Sequence, residues 1–172
     1  MQGATVLPQD CLRDIYQLTV LEVILMKKVV IADDESIERM YIKSLLERYF
    51  PAIGQVEEAE NGYEALDLIN NLKPELCLMD IRMPGIDGLK VIEAIRESGQ
   101  STRVIIISAH DEFYYAQKAV QLGASAYLLK PVESELMVQA ISQVLGEIES
   151  ENNKPEIFIA IIGHGNFVTK WC

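Results

Sequence analysis

A chain of 172 residues is long enough for one well-packed domain with additional sequence at its ends, and short for two. Apolar residues make up 49% and charged residues 24%, the balance of a globular protein and not of a disordered or fibrous one. With 26 acidic against 15 basic residues the formal charge is −11, which leaves this chain alone no electrostatic grip on nucleic acid or an anionic membrane surface.

Residues 1–25 come first and read as an N-terminal extension, with a short helix expected around "CLRDIYQLTVLEVI". The run "YQLTVLEVILM" is too short to span a bilayer. Asp10 and Asp14 stand where a secretory signal has basic residues, and no small-residue cleavage site follows, so neither signal nor anchor is expected.

From Met26 a regular alternation begins. The β-branched runs "KKVVIAD" (27–33), "QVEEAE" (55–60), "ELCLMD" (75–80), "RVIIIS" (103–108) and "SAYLLK" (125–130) predict five strands. Helical periodicity fills the gaps, in "ESIERMYIKSLLERYF", "GYEALDLINNL", "DGLKVIEAIRES" and "DEFYYAQKAVQLG", and returns in "ESELMVQAISQVLGEIES". There Met137, Ile141, Val144, Leu145 and Ile148 fall on one helix face. Strand, helix, strand with short connections implies right-handed parallel crossovers, and nearly continuous apolar strands imply a sheet covered on both faces. The expected fold is a doubly wound α/β domain over 26–149. Residues 150–172 then form a linker and C-terminal tail.

Cys11, Cys77 and Cys172 are scattered, with no CxxC pair; Cys77 reads as a small core residue, and the pattern fits a reducing cytoplasm.

Doubly wound sheets place their sites beyond the carboxyl ends of the strands. Asp33 and Asp34 end the first strand, Asp80 the third, Ser108 with Ala109 and His110 the fourth, and Lys130 before Pro131 the fifth. Three carboxylates, a hydroxyl and an ammonium are expected to converge on one rim. Two carboxylates about 4 Å apart repel by roughly 4 kcal/mol at an effective dielectric of about 20, so such a cluster needs a cation or takes up protons. Oxygen-only ligands favour a hard ion, and few protein ligands with several waters suit Mg²⁺ better than Ca²⁺. Metal, lysine and a small hydroxyl donor are what phosphoryl transfer requires, and a carboxylate among them is a competent nucleophile; Asp80 is the natural choice.

The motifs "ADDE", "LMDIRMPGIDG", "IIISAH" and "AYLLKP", each at a strand end and in this order, make the chain similar to a receiver domain of a two-component response regulator. The resemblance runs from about Met26 to about Glu149. It implies a flavodoxin-like (βα)5 sandwich with strand order 2-1-3-4-5, and Asp80 as acceptor of a phosphoryl group from a sensor histidine kinase. It also implies Mg²⁺ held by Asp34, Asp80 and the carbonyl of Arg82, with Asp33 acting mainly through water. Lys130, Ser108 and Ala109 would bind the phosphoryl group, Ser108 and Tyr127 would switch with it, and the Lys130–Pro131 bond would be cis. The face from Phe113 to Ile148 would pair with a second copy or dock a partner, and Arg82 and His110 would tune the phosphoryl lifetime. The stretch "DEFYYAQKAVQLGASAYLLKPV" is especially similar to receivers ahead of AraC-type DNA-binding domains, which implies control of transcription.

Plainer readings stand beside these. Asp33 and Asp34 also suit a helix N-terminus, Asp80 a turn, Ser108 a backbone-bonding role, Tyr127 a packed strand aromatic, and His110 a solvated loop. A Mg²⁺-dependent phosphohydrolase with an aspartyl nucleophile shares the site, although such enzymes generally carry an acid/base Asp where this chain has Arg82; an interaction scaffold that takes no phosphate is a further alternative. In the tail, "GHGNFV" begins like a GxGxxG loop but has Val168 at the third glycine. The run "IFIAII" reads either as the first strand of a second domain or as an added edge strand that needs covering.

Overall fold

The computed structural model describes residues 26–109, 113–152, 161–163 and 166–168. Five strands, β1 (Lys27–Ala32), β2 (Ile53–Ala59), β3 (Leu76–Met79), β4 (Arg103–Ser108) and β5 (Ala126–Leu129), form one parallel sheet of order 2-1-3-4-5. Helices α1 (Ser36–Tyr49), α2 (Gly62–Leu72), α3 (Gly88–Glu97), α4 (Phe113–Gln121) and α5 (Ser134–Asn152) follow the strands in turn. None of the helices among the described residues is long and apolar enough to cross a membrane.

Alternation along the strands decides which helix lies where. Val30, Ala32, Cys77, Met79, Val104 and Ile106 face a buried layer completed by Ala65 and Ile69 of α2, Val91, Ile92 and Ile95 of α3 and Ala119 of α4. Their neighbours Val29, Ile31, Leu76, Leu78, Ile105 and Ile107 face the opposite layer, built by Ile42, Leu45 and Leu46 of α1 and the predicted apolar face of α5. A strand buried on both sides has no position for a polar residue until it reaches its end. Cys77 is wholly buried, and loss of water contact pushes its thiol well above the usual range, which makes it an inert core residue.

Local chemistry sets several element ends. Asn61 and Asp87 accept from the amides of Glu64 and Lys90, both at 2.9 Å, and cap α2 and α3. At the other end of α3, Arg96 donates to the carbonyls of Leu122, Gln100, Thr102 and Gly123 at 3.3, 3.4, 2.9 and 3.1 Å, tying two loops together. The far end of α5 is held to the strand starts by Lys27 on Glu149 at 2.6 Å and by Arg103 on Glu151.

In the tail, β6 (Ile161–Gly163) and β7 (Asn166–Val168) pair antiparallel with each other in a separate two-stranded sheet. Among the described residues, neither pairs with the main sheet. The N-terminal extension, the run 157–160, His110, Cys11 and Cys172 lie outside the described residues.

Candidate functional site

The strand ends build the site by extending the ladder one rung. The Asp33 amide donates to Ala59 at 3.1 Å, the Asp80 amide to Ala32 at 2.8 Å, and the Lys130 amide to Ser108 at 2.9 Å. The side chains of Asp33, Asp80 and Lys130 are thereby aimed together over the C-terminal edge of the sheet. Asp33 is 1% exposed, Asp80 8% and Ser108 0%.

Lys130 Nζ donates to Asp33 Oδ2 at 2.7 Å and stands 4.0 Å from Asp80 Oδ1. The other oxygen of each carboxylate is held by backbone, Asp33 Oδ1 by the Glu35 amide at 2.9 Å and Asp80 Oδ2 by the Arg82 amide at 3.0 Å. Burial is the main influence on Asp80 and raises its carboxyl above the usual range; Asp33 raises it further, while Lys130 and the backbone amides pull it back. For Lys130 burial again acts most strongly and favours loss of the proton. The Asp33 hydrogen bond and the charges of Asp33, Asp80 and Glu38 together outweigh it, so the ammonium sits above its ordinary value.

Of the three expected carboxylates, Asp33 and Asp80 flank the Lys130 ammonium, and Asp34, the next residue after Asp33, is exposed. Asp34 lies on the exposed rim, beyond the turn that the Glu35 amide closes on Asp33. Among the described residues no three carboxylate, histidine or cysteine side chains come together closely enough to hold a metal ion. Two buried carboxylates nevertheless share one ammonium, and Asp80 resists ionisation there. A hard cation with few protein ligands and several waters fits that donor set.

The loop after Asp80 is fixed by close approach. A Cβ on Gly88 would stand 2.3 Å from the Asp80 carbonyl oxygen, and the Gly88 amide closes the loop by donating to Ile81 at 2.8 Å. Gly85 has φ of +87°, where a side chain is strained and Tyr63 occupies the space.

The remaining predicted residues are distributed around this core. Ala109 is exposed at the end of β4. Tyr127 lies opposite Ile106 and packs half-buried against the layer under α2, α3 and α4, with Tyr115 and Leu122 in the same set. The Lys130–Pro131 peptide is cis. Arg82 is exposed, and its Nη2 donates to Tyr115 Oη of α4 at 3.4 Å. That contact escaped the sequence, where Tyr115 showed only as one of three adjacent aromatics.

The chain matches the response regulator receiver domain family over residues 29–142. It is 43% identical over 122 residues to the positive alginate biosynthesis regulatory protein of Pseudomonas aeruginosa, covering 67% of this chain and 46% of that protein. It is also 34% identical over 115 residues to the nitrate/nitrite response regulator protein NarL of Escherichia coli, covering 67% and 53%. Among solved structures, the REC domain of AraT, a response regulator from Geobacillus stearothermophilus, superposes with a TM-score of 0.69 at 35% identity, covering 74% of this chain and 99% of that one. The receiver domain of the NarL response regulator from Mycobacterium tuberculosis gives 0.65 at 37% identity, covering 70% and 97%. The chain spans between about a third and about a half of the length of the curated relatives it matches. With the 2-1-3-4-5 sheet and Asp80 and Lys130 at its rim, these matches identify the chain as a member of the response regulator receiver domain family, the signalling module of two-component systems.

Proposed function

We propose that Asp80 is the phosphoacceptor of this receiver. The carrying observation is a buried strand-end carboxylate with one oxygen facing Lys130 and the other fixed by a backbone amide. Receivers of this family take their phosphoryl group from sensor histidine kinases and generally use Mg²⁺ at the phosphorylation site. In the transfer, an Asp80 oxygen attacks phosphorus, the phosphorus–nitrogen bond of the kinase phosphohistidine breaks, and the imidazole leaves with the bonding electrons and takes up a proton. Lys130 and the backbone donors favour the charged, nucleophilic form of Asp80 against the burial that disfavours it. Lys130, already paired to Asp33, presents its ammonium to the incoming phosphoryl oxygens.

Asp34, Asp80 and the Arg82 carbonyl would hold Mg²⁺, with Asp33 acting through water because both its oxygens are engaged. When bound, the ion supplies charge neutralisation for the phosphoryl oxygens. Ser108, buried at the end of β4, and the Ala109 backbone receive the phosphoryl group, and Tyr127 follows Ser108. The readout is the face of α4, β5 and α5, where Tyr114, Val120, Leu129 and Leu136 are exposed apolar or aromatic side chains suited to a second copy or a partner. The curated relatives are named as regulators, which supports control of transcription as the output.

Intact mass after incubation with acetyl phosphate, with and without Mg²⁺, tests this reading. The expected result is a Mg²⁺-dependent gain of one phosphoryl group that is lost in Asp80→Asn. No gain in the unaltered chain would move the scaffold reading ahead.

A further inference from the structure

We infer that Arg39 is a positioning residue for the acid turn after β1: its guanidinium holds the Asp33 carbonyl and so fixes the peptide that joins Asp33 to Asp34, while Glu58 and Glu60 balance its charge. The inference rests on the reading that Asp34 and Asp80 hold Mg²⁺ with Asp33 behind them. Arg39 lies one turn into α1 and is 5% exposed, which is rare for an arginine. Its three nitrogens bond in three places. Nη1 donates to the Asp33 carbonyl at 2.7 Å, Nη2 to Glu60 at 2.9 Å and Nε to Glu58 at 3.3 Å.

With the first of these bonds Asp33 is held on every side. Its amide donates to Ala59, one carboxylate oxygen accepts from the Glu35 amide, the other from Lys130, and its carbonyl from Arg39. A peptide is planar, so the Asp33 carbonyl and the Asp34 amide turn together. Turn conformations differ by rotation of one such plane. Rotation here changes ψ of Asp33 and φ of Asp34, and with them the placement of one carboxylate relative to the other. A short, charge-assisted bond from a buried donor opposes it. Asp34 is itself exposed, so packing does little to place it and the backbone does more.

A guanidinium near a cation site would by itself repel the cation. Here its charge is met by β2 and the residue that follows. Glu58 also accepts from Lys43 at 2.9 Å; that hydrogen bond acts most strongly and, with Arg39, holds the Glu58 carboxyl below the usual range against the pull of burial. Geometry and charge therefore act on the metal with opposite signs. Loss of the cation tightens Mg²⁺ binding if charge alone matters, and loosens it if the Asp33 carbonyl must be held.

Amide NMR spectra of the full chain titrated with Mg²⁺ read both the affinity and the turn. Arg39→Met, which keeps the length and removes the donors, weakens Mg²⁺ binding about fivefold, equivalent to one net hydrogen bond of about 1 kcal/mol. It also shifts the Asp34 amide nitrogen before any metal is added, because that nitrogen senses a donor on the preceding carbonyl. Arg39→Lys, which keeps the charge but not the fork, falls between Arg39→Met and the unaltered chain. Unchanged or tighter binding in Arg39→Met, or Arg39→Lys no better than Arg39→Met, overturns the inference. If Arg39→Met gives no folded spectrum, Arg39→Lys decides: weaker binding supports the inference and unchanged binding overturns it. Asp80→Asn separates the two readings. If the unaltered chain binds Mg²⁺ in a way that Asp80→Asn removes, and Arg39→Met binds it equally well, only the Arg39 assignment falls; if the unaltered chain binds none, both fall.

Discussion

Replacing Lys130 with methionine leaves Asp33 charged and 2% exposed in its side chain, with the Glu35 amide still on one oxygen. At an effective dielectric of about 20, a unit charge pair at the Lys130–Asp33 distance of 2.7 Å is worth about 6 kcal/mol, and one at the Lys130–Asp80 distance of 4.0 Å about 4 kcal/mol. Taking the ammonium out of water costs several kcal/mol of that sum, and breaking a buried pair by removing one partner usually leaves a net loss of about 3–5 kcal/mol. We expect Lys130→Met to lose about 3 kcal/mol in urea unfolding at pH 7 without divalent cations. With a slope of about 2 kcal/mol/M the midpoint falls by about 1.5 M. Adding Asp33→Asn, which keeps an acceptor for the Glu35 amide but removes the orphaned charge, recovers all but about 1 kcal/mol. The Lys130 ammonium is held above its usual value, so the difference from the unaltered chain is fully present below about pH 10.4 and disappears as pH rises through the folded-state value. A Lys130→Met midpoint within about 0.3 M of the original, or a double variant no better than the single, would refute this account of the site.

Asp80→Asn has the opposite sign. Burial raises the Asp80 carboxyl, so the fold favours its protonated form and carries a cost once it ionises. The variant should melt higher than the unaltered chain at pH 7 without Mg²⁺, and the gain should vanish below about pH 3.9, where the carboxyl is protonated folded or unfolded; calorimetric melting temperatures across pH check this. Gly88→Ala drives a methyl against the Asp80 carbonyl oxygen and should cost about 1–3 kcal/mol while slowing uptake from acetyl phosphate, measured by urea unfolding and intact mass. Arg96→Ala removes the donor from four carbonyls and should lose about 2 kcal/mol, with Arg96→Lys recovering less than half because an ammonium has no fork; urea midpoints report both.

The sheet was legible because its strands are buried on both faces: "VVIA", "LCLM" and "VIII" have no solvent side to interrupt them. Their ends were legible for the complementary reason, since Asp80 and Lys130 are the first polar residues the strands can carry. Helix termini were less so; α1 begins after Glu35 with no side-chain cap, and nothing local marks the residue. Asp33 and Asp34 stand side by side at the end of one strand, and the turn closed on Asp33 by the Glu35 amide accompanies burial of the first and exposure of the second, which periodicity does not specify. Arg96 reads as a solvated helix residue because its four acceptors lie in loops whose approach depends on the packing of α3 against the sheet. The Arg82–Tyr115 contact spans 33 residues and follows from where α4 lands, which no periodicity specifies. The tail's separate hairpin was missed because an apolar run does not state its partner.

Helix α5 begins just after Lys130 and Pro131, at the phosphoacceptor end of the sheet, and is pinned at its other end by Lys27 and Arg103. Nineteen residues of helix make a rod about 28 Å long. Its near end is also tied to α1 by the Ser134–Tyr41 hydrogen bond at 2.8 Å, and a tilt of about 5° about the far end would displace the tip beside Lys130 by about 2.5 Å. Loosening the two ion pairs would move the fulcrum and so change how far a given displacement at the rim is carried along the molecule.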